Sequence, residues 1–192
     1  VPTPGPFGLA GAYLAKKHGA RLIVGFHTHF EKIMDLYWSR WFGRLTVWYF
    51  EALNNYLFRH AERVLANSEE MVSIAAERSE TPTTLMGTPI PSEFIRKKPA
   101  SYPVGVSRVL YAGRLAAEKN IESVIDAAHD LPQITFYVAG DGPLRHRVVD
   151  ALRHLPELVY LRGIGREQLV QKLDDVDLFL LPSHVESFVA VA

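Results

Sequence analysis

The second half of the chain alternates short β-rich runs with helix-like segments, and this alternation constrains the fold more than any other feature. The β-rich runs cover residues 108–112, 134–139, 158–161 and 177–181, and the helix-like segments cover about residues 118–129, 143–154 and 166–174. Strands and helices of these lengths in alternation form βαβ units. We therefore expect an α/β fold with a parallel sheet that is covered by helices on both faces.

The first half shows the same alternation less regularly. A helix-like segment at residues 7–18 ends at Gly19, strands are predicted at residues 21–26 and 63–66, and helices are predicted at about residues 31–59 and 69–78. Between the halves, residues 89–106 carry four prolines and a glycine, which is typical of a linker. The sequence thus predicts two α/β halves joined by a proline-rich linker.

Composition excludes several classes of function. The 192 residues include no cysteine, so disulfides, thiolate metal sites and cysteine nucleophiles are excluded. The 21 basic and 21 acidic residues cancel, and we expect no nucleic-acid partner. This cancellation hides an asymmetry, because residues 1–98 carry 12 basic and 9 acidic residues whereas residues 99–192 carry 9 and 12.

The ends of the chain and its apolar runs indicate whether it crosses a membrane, where it is located and whether it is a fragment. No apolar run approaches the roughly 20 residues that a membrane-spanning helix needs. The first residue is Val1 rather than Met, no secretory signal precedes the first helix, and the last residues resemble the first turns of a helix. We therefore expect an internal fragment of a longer protein with a cytoplasmic location.

The residues that follow each predicted strand are candidate ligand contacts, because ligands of open parallel sheets bind outside the carboxyl ends of the strands. Gly113 and Arg114 follow the first strand of the second half, and Lys119 enters the next helix. A guanidinium that binds phosphate through two hydrogen bonds, with an ammonium nearby, neutralises a diphosphate without a metal ion. Solvated surface charges beside a glycine turn are the alternative.

Two further turns are weaker signals. Gly140, Asp141 and Gly142 follow the second strand, where glycines let a ligand approach the backbone, although the same residues are common in turns. Gly163 and Ile164 follow the third strand and expose backbone amides that could bind a nucleobase edge. A plain turn between strand and helix is the alternative for this pair.

Ser183 and Glu186 follow the fourth strand with the spacing of a capping box. Glu186 therefore either caps a helix or accepts hydrogen bonds from sugar hydroxyls, and the spacing favours neither. Asp175 and Asp177 form a DxD pattern that often binds a metal ion, but they precede this strand. Since that position lies at the edge opposite the ligand turns, we expect a strand entry there and no metal site.

Taken together, the motifs occur in a distinctive order. The second half carries LYAGR at residues 110–114 with EKN at 118–120, YVAGDGP at 137–143, DLFLLPS at 177–183 and ESF at 186–188. The first half carries GFHT at residues 25–28, RVLANS at 63–68 and MG at 86–87 ahead of Phe94. This series resembles the family-4 retaining glycosyltransferases, which have the GT-B fold.

The resemblance implies an α/β fold of GT-B type with two Rossmann-like parallel-sheet domains, both incomplete. Residues 1–98 would be the C-terminal part of the acceptor-side domain, and residues 99–107 would be the linker. Residues 108–192 would be the N-terminal part of the domain that binds the nucleotide-sugar donor. The implied activity is hexosyl transfer, with a nucleotide-sugar epimerase, a phosphorylase or an inactive nucleotide-binding fragment as the alternatives.

The resemblance also implies roles for individual residues of the donor domain. Arg114 and Lys119 would bind the donor diphosphate and stabilise the leaving group. Gly163 and Ile164 would hold the base, and Glu186 would bind hydroxyls of the donor sugar. The remaining members of the implied donor site are Gly113, Gly140, Asp141, Gly142 and Ser183.

The acceptor domain contributes one implied catalytic residue. His27 matches the histidine that faces the transferred sugar, and a neutral imidazole after a strand can donate a hydrogen bond to a sugar hydroxyl. Arg114, Lys119, His27 and Glu186 thus form the predicted catalytic set. The resemblance implies no cofactor and no metal ion, with a nucleoside diphosphate sugar as the donor substrate.

An aromatic segment raises a question about the acceptor. Nine of the 21 aromatic residues, including Trp38, Trp41 and Trp48, fall between residues 36 and 58 and are interleaved with arginines. The segment either packs against the sheet or places part of its aromatics at a lipid interface, at residues 36–59. The turn at residues 27–30 is similar to that of transferases acting on membrane lipids such as diacylglycerol. A membrane lipid is therefore one candidate acceptor, with peripheral contact at the inner membrane face.

Overall fold

The computed structural model describes residues 5–27, 40–87, 90–95 and 104–184, with side chains of residues 40–44 excepted. The chain forms two compact units, which are built on Val1–Pro89 and Ile90–Glu186. Each unit has its own parallel sheet and its own hydrophobic core. The predicted division at residues 98 and 108 stays a prediction, as residues 99–103 lie outside the described residues.

The first unit is a three-stranded parallel sheet in the order β1-β2-β3 with helices against it. Along the chain its elements are α1 (Pro6–His18), β1 (Ile23–Phe26), α2 (Arg40–His60), β2 (Arg63–Ala66), α3 (Glu69–Arg78) and β3 (Thr83–Leu85). The core forms where β1, β2 and α2 meet, and the ring of Phe26 contacts the ring of Phe58 edge to face at 5.2 Å.

Local signals explain the helix bounds of this unit. Pro6 stands at the start of α1, and Gly19 ends the helix in the left-handed conformation, with φ 62°. Ser68 caps α3, because its Oγ atom accepts a hydrogen bond from the backbone amide of Met71 at 3.3 Å. The predicted helix at residues 69–78 and the predicted strand at 63–66 are confirmed.

Among the described residues, strand β3 and a one-turn helix carry no sequence signal that predicts them. Strand β3 is only three residues long and exists through its pairing with β2, in which Val64 lies opposite Thr83. The one-turn helix, α4 (Ser92–Ile95), lies inside the segment assigned to the linker. Elements this short depend on tertiary contacts more than on the intrinsic propensity of their residues.

The second unit is a four-stranded parallel sheet in the order β6-β5-β4-β7. After α4, its elements are β4 (Arg108–Ala112), a 3₁₀ turn (Ala117–Lys119), α5 (Ile121–Asp130), β5 (Thr135–Ala139), α6 (Arg145–Ala151), β6 (Leu158–Arg162), α7 (Arg166–Lys172) and β7 (Leu178–Phe179). The strand order is that of a Rossmann half, in which the order of strand addition reverses between β4 and β7. Three of the four strand predictions are confirmed within one residue, and the fourth, at 177–181, is shortened to residues 178–179.

All three predicted helices of this unit are shorter in the structure, and α6 differs most. Helix α6 covers residues 145–151 rather than 143–154, and Pro143 is therefore not its first residue. The backbone amide of Leu144 donates to the carbonyl oxygen of Leu115 at 2.9 Å. That bond holds Leu144 against the turn after β4, and the helix begins at Arg145, two residues after its predicted start.

Asp177 shows why the DxD pattern is a strand entry. Its Oδ2 atom accepts hydrogen bonds at 2.9 Å from the backbone amides of Ser107 and Arg108 and from the hydroxyl of Ser107. These bonds, with the nearby Arg108 guanidinium, lower the pKa of Asp177 to about 2. The carboxylate thus joins the amino ends of β7 and β4. Among the described residues no group of three His, Cys, Asp or Glu side chains is arranged to hold a metal ion.

Within the described part of the chain, no helix is both long enough and apolar enough to cross a membrane.

Candidate functional site

Four turns come together at the carboxyl ends of the second sheet. Backbone hydrogen bonds connect them, since the amide of Gly113 donates to Ala139 at 3.0 Å and the amide of Gly140 donates to Arg162 at 2.7 Å. The amide of Leu180 likewise donates to Leu110 at 2.8 Å. The predicted ligand turns after β4, β5, β6 and β7 therefore lie side by side along one edge.

Gly140 and Gly142 are required by the approach of two turns to each other. Their φ angles are 140° and 158°, which residues with side chains rarely adopt. A Cβ atom on Gly140 would lie 1.8 Å from the carbonyl oxygen of Gly113, and one on Gly142 would lie 2.4 Å from that of Leu115. These glycines thus let the β5 turn pack against the β4 turn.

Arg114 lies just after the end of β4, and a hydrogen bond from a buried tyrosine holds its backbone in place. The hydroxyl of Tyr111, a buried residue, donates to the carbonyl oxygen of Arg114 at 2.8 Å. The Arg114 guanidinium lies 3.7 Å from Oε1 of Glu118, whose side chain is 11% exposed against 63% for that of Arg114. The acid orients one side of the guanidinium while the other stays open to solvent, and this arrangement suits an anion.

Lys119 and Ser183 are brought together by the bonds of their neighbours. The amide of His184 donates to the carbonyl oxygen of Glu118 at 2.9 Å, and the side-chain Nδ2 of Asn120 donates to Pro182 at 3.2 Å. Each neighbour of Lys119 in the sequence is thus bonded to one neighbour of Ser183. These two bonds hold the β7 turn directly against the 3₁₀ turn. The sequence motifs that contain them therefore form one corner of the edge.

Gly163 and Ile164 follow an irregular strand end. Strand β6 contains a bulge against β5, and Arg162 adopts a left-handed conformation with φ 59°. No atom lies within 4 Å of a Cβ built on Gly163. Gly163 is thus exposed and faces open space, and Ile164 is half-buried.

Asp141 takes part in its own turn. Its Oδ1 atom accepts a hydrogen bond from the amide of Gly142 at 2.8 Å, and its Oδ2 atom lies 3.9 Å from the Arg145 guanidinium. The side chain is 65% exposed. The structure therefore shows a turn-forming role for Asp141, and its predicted contact with the donor stays a prediction.

His27 belongs to the first unit and directly follows β1. Its carbonyl oxygen accepts a hydrogen bond from Nδ2 of Asn67 at 3.4 Å, so the residues after β1 and β2 are joined at the carboxyl edge of the first sheet. The His27 side chain is exposed. Glu186, by contrast, lies outside the described residues.

Three residues that shape the turns at the carboxyl edge of the second sheet are not among the predicted site residues. Tyr111 and Glu118 fix Arg114 as described above, and the hydroxyl of Tyr160 donates to the carbonyl oxygen of Gly140 at 3.0 Å. A tyrosine near the end of a core strand is the signal that could have found two of them, because a buried hydroxyl needs a hydrogen-bond partner.

Comparison with protein families addresses both halves of the chain. A family model described as Glycosyl transferases group 1 matches residues 93–192, and one described as Glycosyltransferase Family 4 matches residues 1–90. The first of these models covers more than half of the chain. The chain belongs to the glycosyl transferases group 1 family.

Curated relatives of this group 1 chain include a glycogen synthase and a kanosaminyltransferase by name. Over 170 residues it is 26% identical to a glycogen synthase of Mycobacterium tuberculosis, a match that covers 78% of this chain and 40% of the relative. Over 86 residues it is 36% identical to an alpha-D-kanosaminyltransferase of Streptomyces kanamyceticus, covering 41% and 22%. The chain therefore spans less than half of the length of these relatives.

Solved structures confirm the fold of this group 1 member. The sucrose-phosphate synthase of Thermosynechococcus elongatus matches with a TM-score of 0.69 at 18% identity, covering 96% of this chain and 50% of that one. HepE of Anabaena, solved with UDP and glucose, matches with the same TM-score and identity, covering 96% and 52%. The predicted α/β fold of GT-B type, with Rossmann-like parallel sheets, is confirmed.

Proposed function

We propose that this chain supplies the donor site of a retaining glycosyltransferase, which moves a sugar from a nucleoside diphosphate sugar to an acceptor. The observation that carries this proposal is the exposed guanidinium of Arg114, which lies among the four ligand turns. The chain that presents it is a member of the group 1 family. The UDP and glucose bound by HepE favour the same class of donor.

The proposed mechanism relies on positive charge at the diphosphate. Arg114 forms two parallel hydrogen bonds to phosphate oxygens, and Lys119 adds a second charge. Negative charge develops on the leaving diphosphate as the bond to the sugar breaks, so these cations stabilise the transition state more than the ground state. The amino end of α5 lies two residues after Lys119 and can contribute amide donors.

The other turns are proposed to hold the remaining parts of the donor. The backbone of Gly163 and Ile164 would bind the base. Ser183, beside Lys119, and Glu186 would bind the phosphate and the sugar hydroxyls. His27 is proposed to donate a hydrogen bond to a hydroxyl of the transferred sugar. The Gly140-Asp141-Gly142 turn is proposed to complete the donor site.

Product analysis with a labelled donor tests the reaction class. The whole protein is incubated with UDP-glucose or GDP-mannose labelled in the sugar, and the products are separated and the anomeric configuration is read by NMR. Label on a new α-linked product, from an α-linked donor, supports retaining transfer. Label on an altered nucleotide sugar indicates an epimerase, and release that requires phosphate indicates a phosphorylase. Binding of UDP by calorimetry without turnover indicates a nucleotide-binding fragment.

For the acceptor, we propose a membrane lipid that is reached through the exposed face of α2. One face of this helix is exposed and largely apolar. It consists of five residues with helical spacing, Leu45, Trp48, Tyr49, Ala52 and Tyr56. The opposite face packs in the core, so the aromatic segment is divided between core packing and an apolar surface.

The charge beside this face favours anionic lipid. Helix α1 contacts α2 and carries Lys16 and Lys17 in its last turn, with no acidic residue along its length. Its exposed Phe7, Tyr13 and Leu14 extend the apolar surface. Aromatic and basic side chains together are typical of helices that lie in a lipid interface. The cytoplasmic location and contact with the inner membrane face stay predictions.

Co-sedimentation with phosphatidylglycerol vesicles at low salt tests the lipid contact. We expect the protein to bind these vesicles, and the double variant Leu45→Ser/Trp48→Ser to bind more weakly. Leu152→Ser is the matched control, because Leu152 is an exposed leucine of the other unit. Absence of binding to anionic vesicles would remove the membrane contact from the proposal while leaving donor binding intact.

A further inference from the structure

The imidazole of His27 lies over the backbone of Gly25. Residues 25 and 27 are two apart along an extended segment, so their side chains point to the same face. A Cβ atom built on Gly25 would lie 2.5 Å from Nε2 of His27, with Cδ2 and Cε1 of the same ring at 3.2 and 3.3 Å. The ring therefore occupies space that is open only because residue 25 has no side chain.

The backbone around this contact is held on both sides. Gly25 pairs with Leu65 and Phe26 pairs with Ala66 in the parallel sheet. The Phe26 side chain is buried, and Nδ2 of Asn67 donates to the carbonyl oxygen of His27. Any crowding between residues 25 and 27 must therefore be relieved by rotation of the His27 ring and not by a shift of the strand.

We propose that Gly25 is a positioning residue that sets the place of the His27 imidazole. This proposal rests on the proposed function, in which His27 acts on the transferred sugar. An added methyl group needs at least 3.4 Å to the nearest ring atom, against the 2.5 Å present, so the ring would move by about 1 Å. A displacement of about 1 Å at a reacting group can lower turnover about 100-fold.

A double-mutant cycle in the whole protein tests the coupling. Turnover is measured as release of nucleotide from UDP-glucose and GDP-mannose for Gly25→Ala, His27→Ala and the double variant. We expect kcat to fall about 100-fold in Gly25→Ala and no further in the double variant than in His27→Ala. The Kd for UDP should not change, because its proposed site lies in the other unit.

A matched control isolates the effect of the added methyl group. Gly87 belongs to the same unit, and a Cβ built on it meets no atom within 4 Å. Gly87→Ala should therefore keep the wild-type kcat. Equal losses in Gly25→Ala and Gly87→Ala would overturn the proposal, as would a Gly25→Ala that unfolds, since unfolding would mean that the strand and not the ring gives way.

An NMR measurement separates this proposal from the proposed role of His27. The imidazole ¹H–¹⁵N cross-peaks of His27, assigned by their loss in His27→Ala, should shift in Gly25→Ala and stay in place in Gly87→Ala. Unchanged cross-peaks in Gly25→Ala would overturn the positioning role whatever the kinetics. If His27→Ala keeps full activity while the cross-peaks shift, the catalytic role of His27 fails and the positioning of its ring by Gly25 stands.

Discussion

Replacing Gly140 with alanine should destabilise the second unit more than any other single methyl addition at its turns. The new Cβ would lie 1.8 Å from the carbonyl oxygen of Gly113, where real contacts stay above 3.0 Å. The backbone on both sides of this contact is held by hydrogen bonds. The amide of Gly140 donates to the carbonyl oxygen of Arg162, and the amide of Gly113 donates to that of Ala139. No side chain can rotate away, so the two turns have to separate by about 1.2 Å.

Two costs add up in this variant. A residue with a side chain at φ 140° costs about 1–3 kcal/mol, and forcing a methyl group into a closed contact costs about 1–3 kcal/mol more. The free energy of unfolding of the second unit should therefore fall by about 2–6 kcal/mol. Because whole domains are stable by only about 5–15 kcal/mol, this loss is a large fraction of the total stability.

Urea unfolding followed by far-UV circular dichroism measures this change. Gly105→Ala is the control, because Gly105 lies in the same unit and a Cβ there meets no atom within 4 Å. All three tryptophans of the chain lie at residues 38–48, so tryptophan fluorescence follows the first unit separately. A Gly140→Ala protein whose stability lies within about 0.5 kcal/mol of Gly105→Ala would refute the reasoning from close backbone contact.

Three further substitutions test the site and its support. Arg114→Ala should raise the Kd for UDP about 10- to 100-fold by calorimetry, since a hydrogen bond to a charged group contributes about 1.5–3 kcal/mol, whereas Arg153→Ala, at an exposed position, should leave it unchanged. The folded-state pKa of Asp177, about 2, lies below its value of about 3.9 in the unfolded chain, so its carboxylate stabilises the fold above pH 4 and this contribution is lost as the pH falls towards 2. Asp177→Asn should therefore be less stable than wild type at pH 7 and approach it in acid unfolding curves; a constant difference would contradict this account. Tyr160→Phe removes the hydrogen bond to Gly140 and should lower the unfolding free energy by about 0.5–1.5 kcal/mol in urea, and no change would show that the hydroxyl is dispensable.

Elements with signals inside their own sequence are the ones that could be predicted. Helix α3 begins at its Ser68 cap, and β4 has the bounds given by its apolar run. Strand β3 could not be found this way, because Thr83–Leu85 has no apolar periodicity and forms only against β2. The start of α6 was misplaced for a similar reason, since the bond that delays it comes from Leu115, far from the helix in sequence.

For the turns at the carboxyl edge of the second sheet, the sequence predicts their positions but not the contacts that support them. The rule that ligand turns follow parallel strands places Arg114, Gly140 and Gly163 at one edge, and the hydrogen bonds between their turns agree. The supports beneath them act through hydroxyls on the backbone of the turns. Tyr111 bonds Arg114 from within the same motif, whereas Tyr160 bonds Gly140 from the next strand, to which sequence spacing does not connect it. Such contacts depend on the packed core.

The structure explains the two glycines of the β5 turn, which the sequence alone leaves open to two interpretations. In the sequence, Gly140 and Gly142 are ambiguous between ordinary turn chemistry and the approach of a ligand. In the structure their missing side chains are already accounted for by the backbone of Gly113 and Leu115, without any ligand. The chemical discrimination therefore falls on the side chains that remain open, above all Arg114. A variant that keeps both glycines but lacks that guanidinium should fold normally and lose nucleotide affinity.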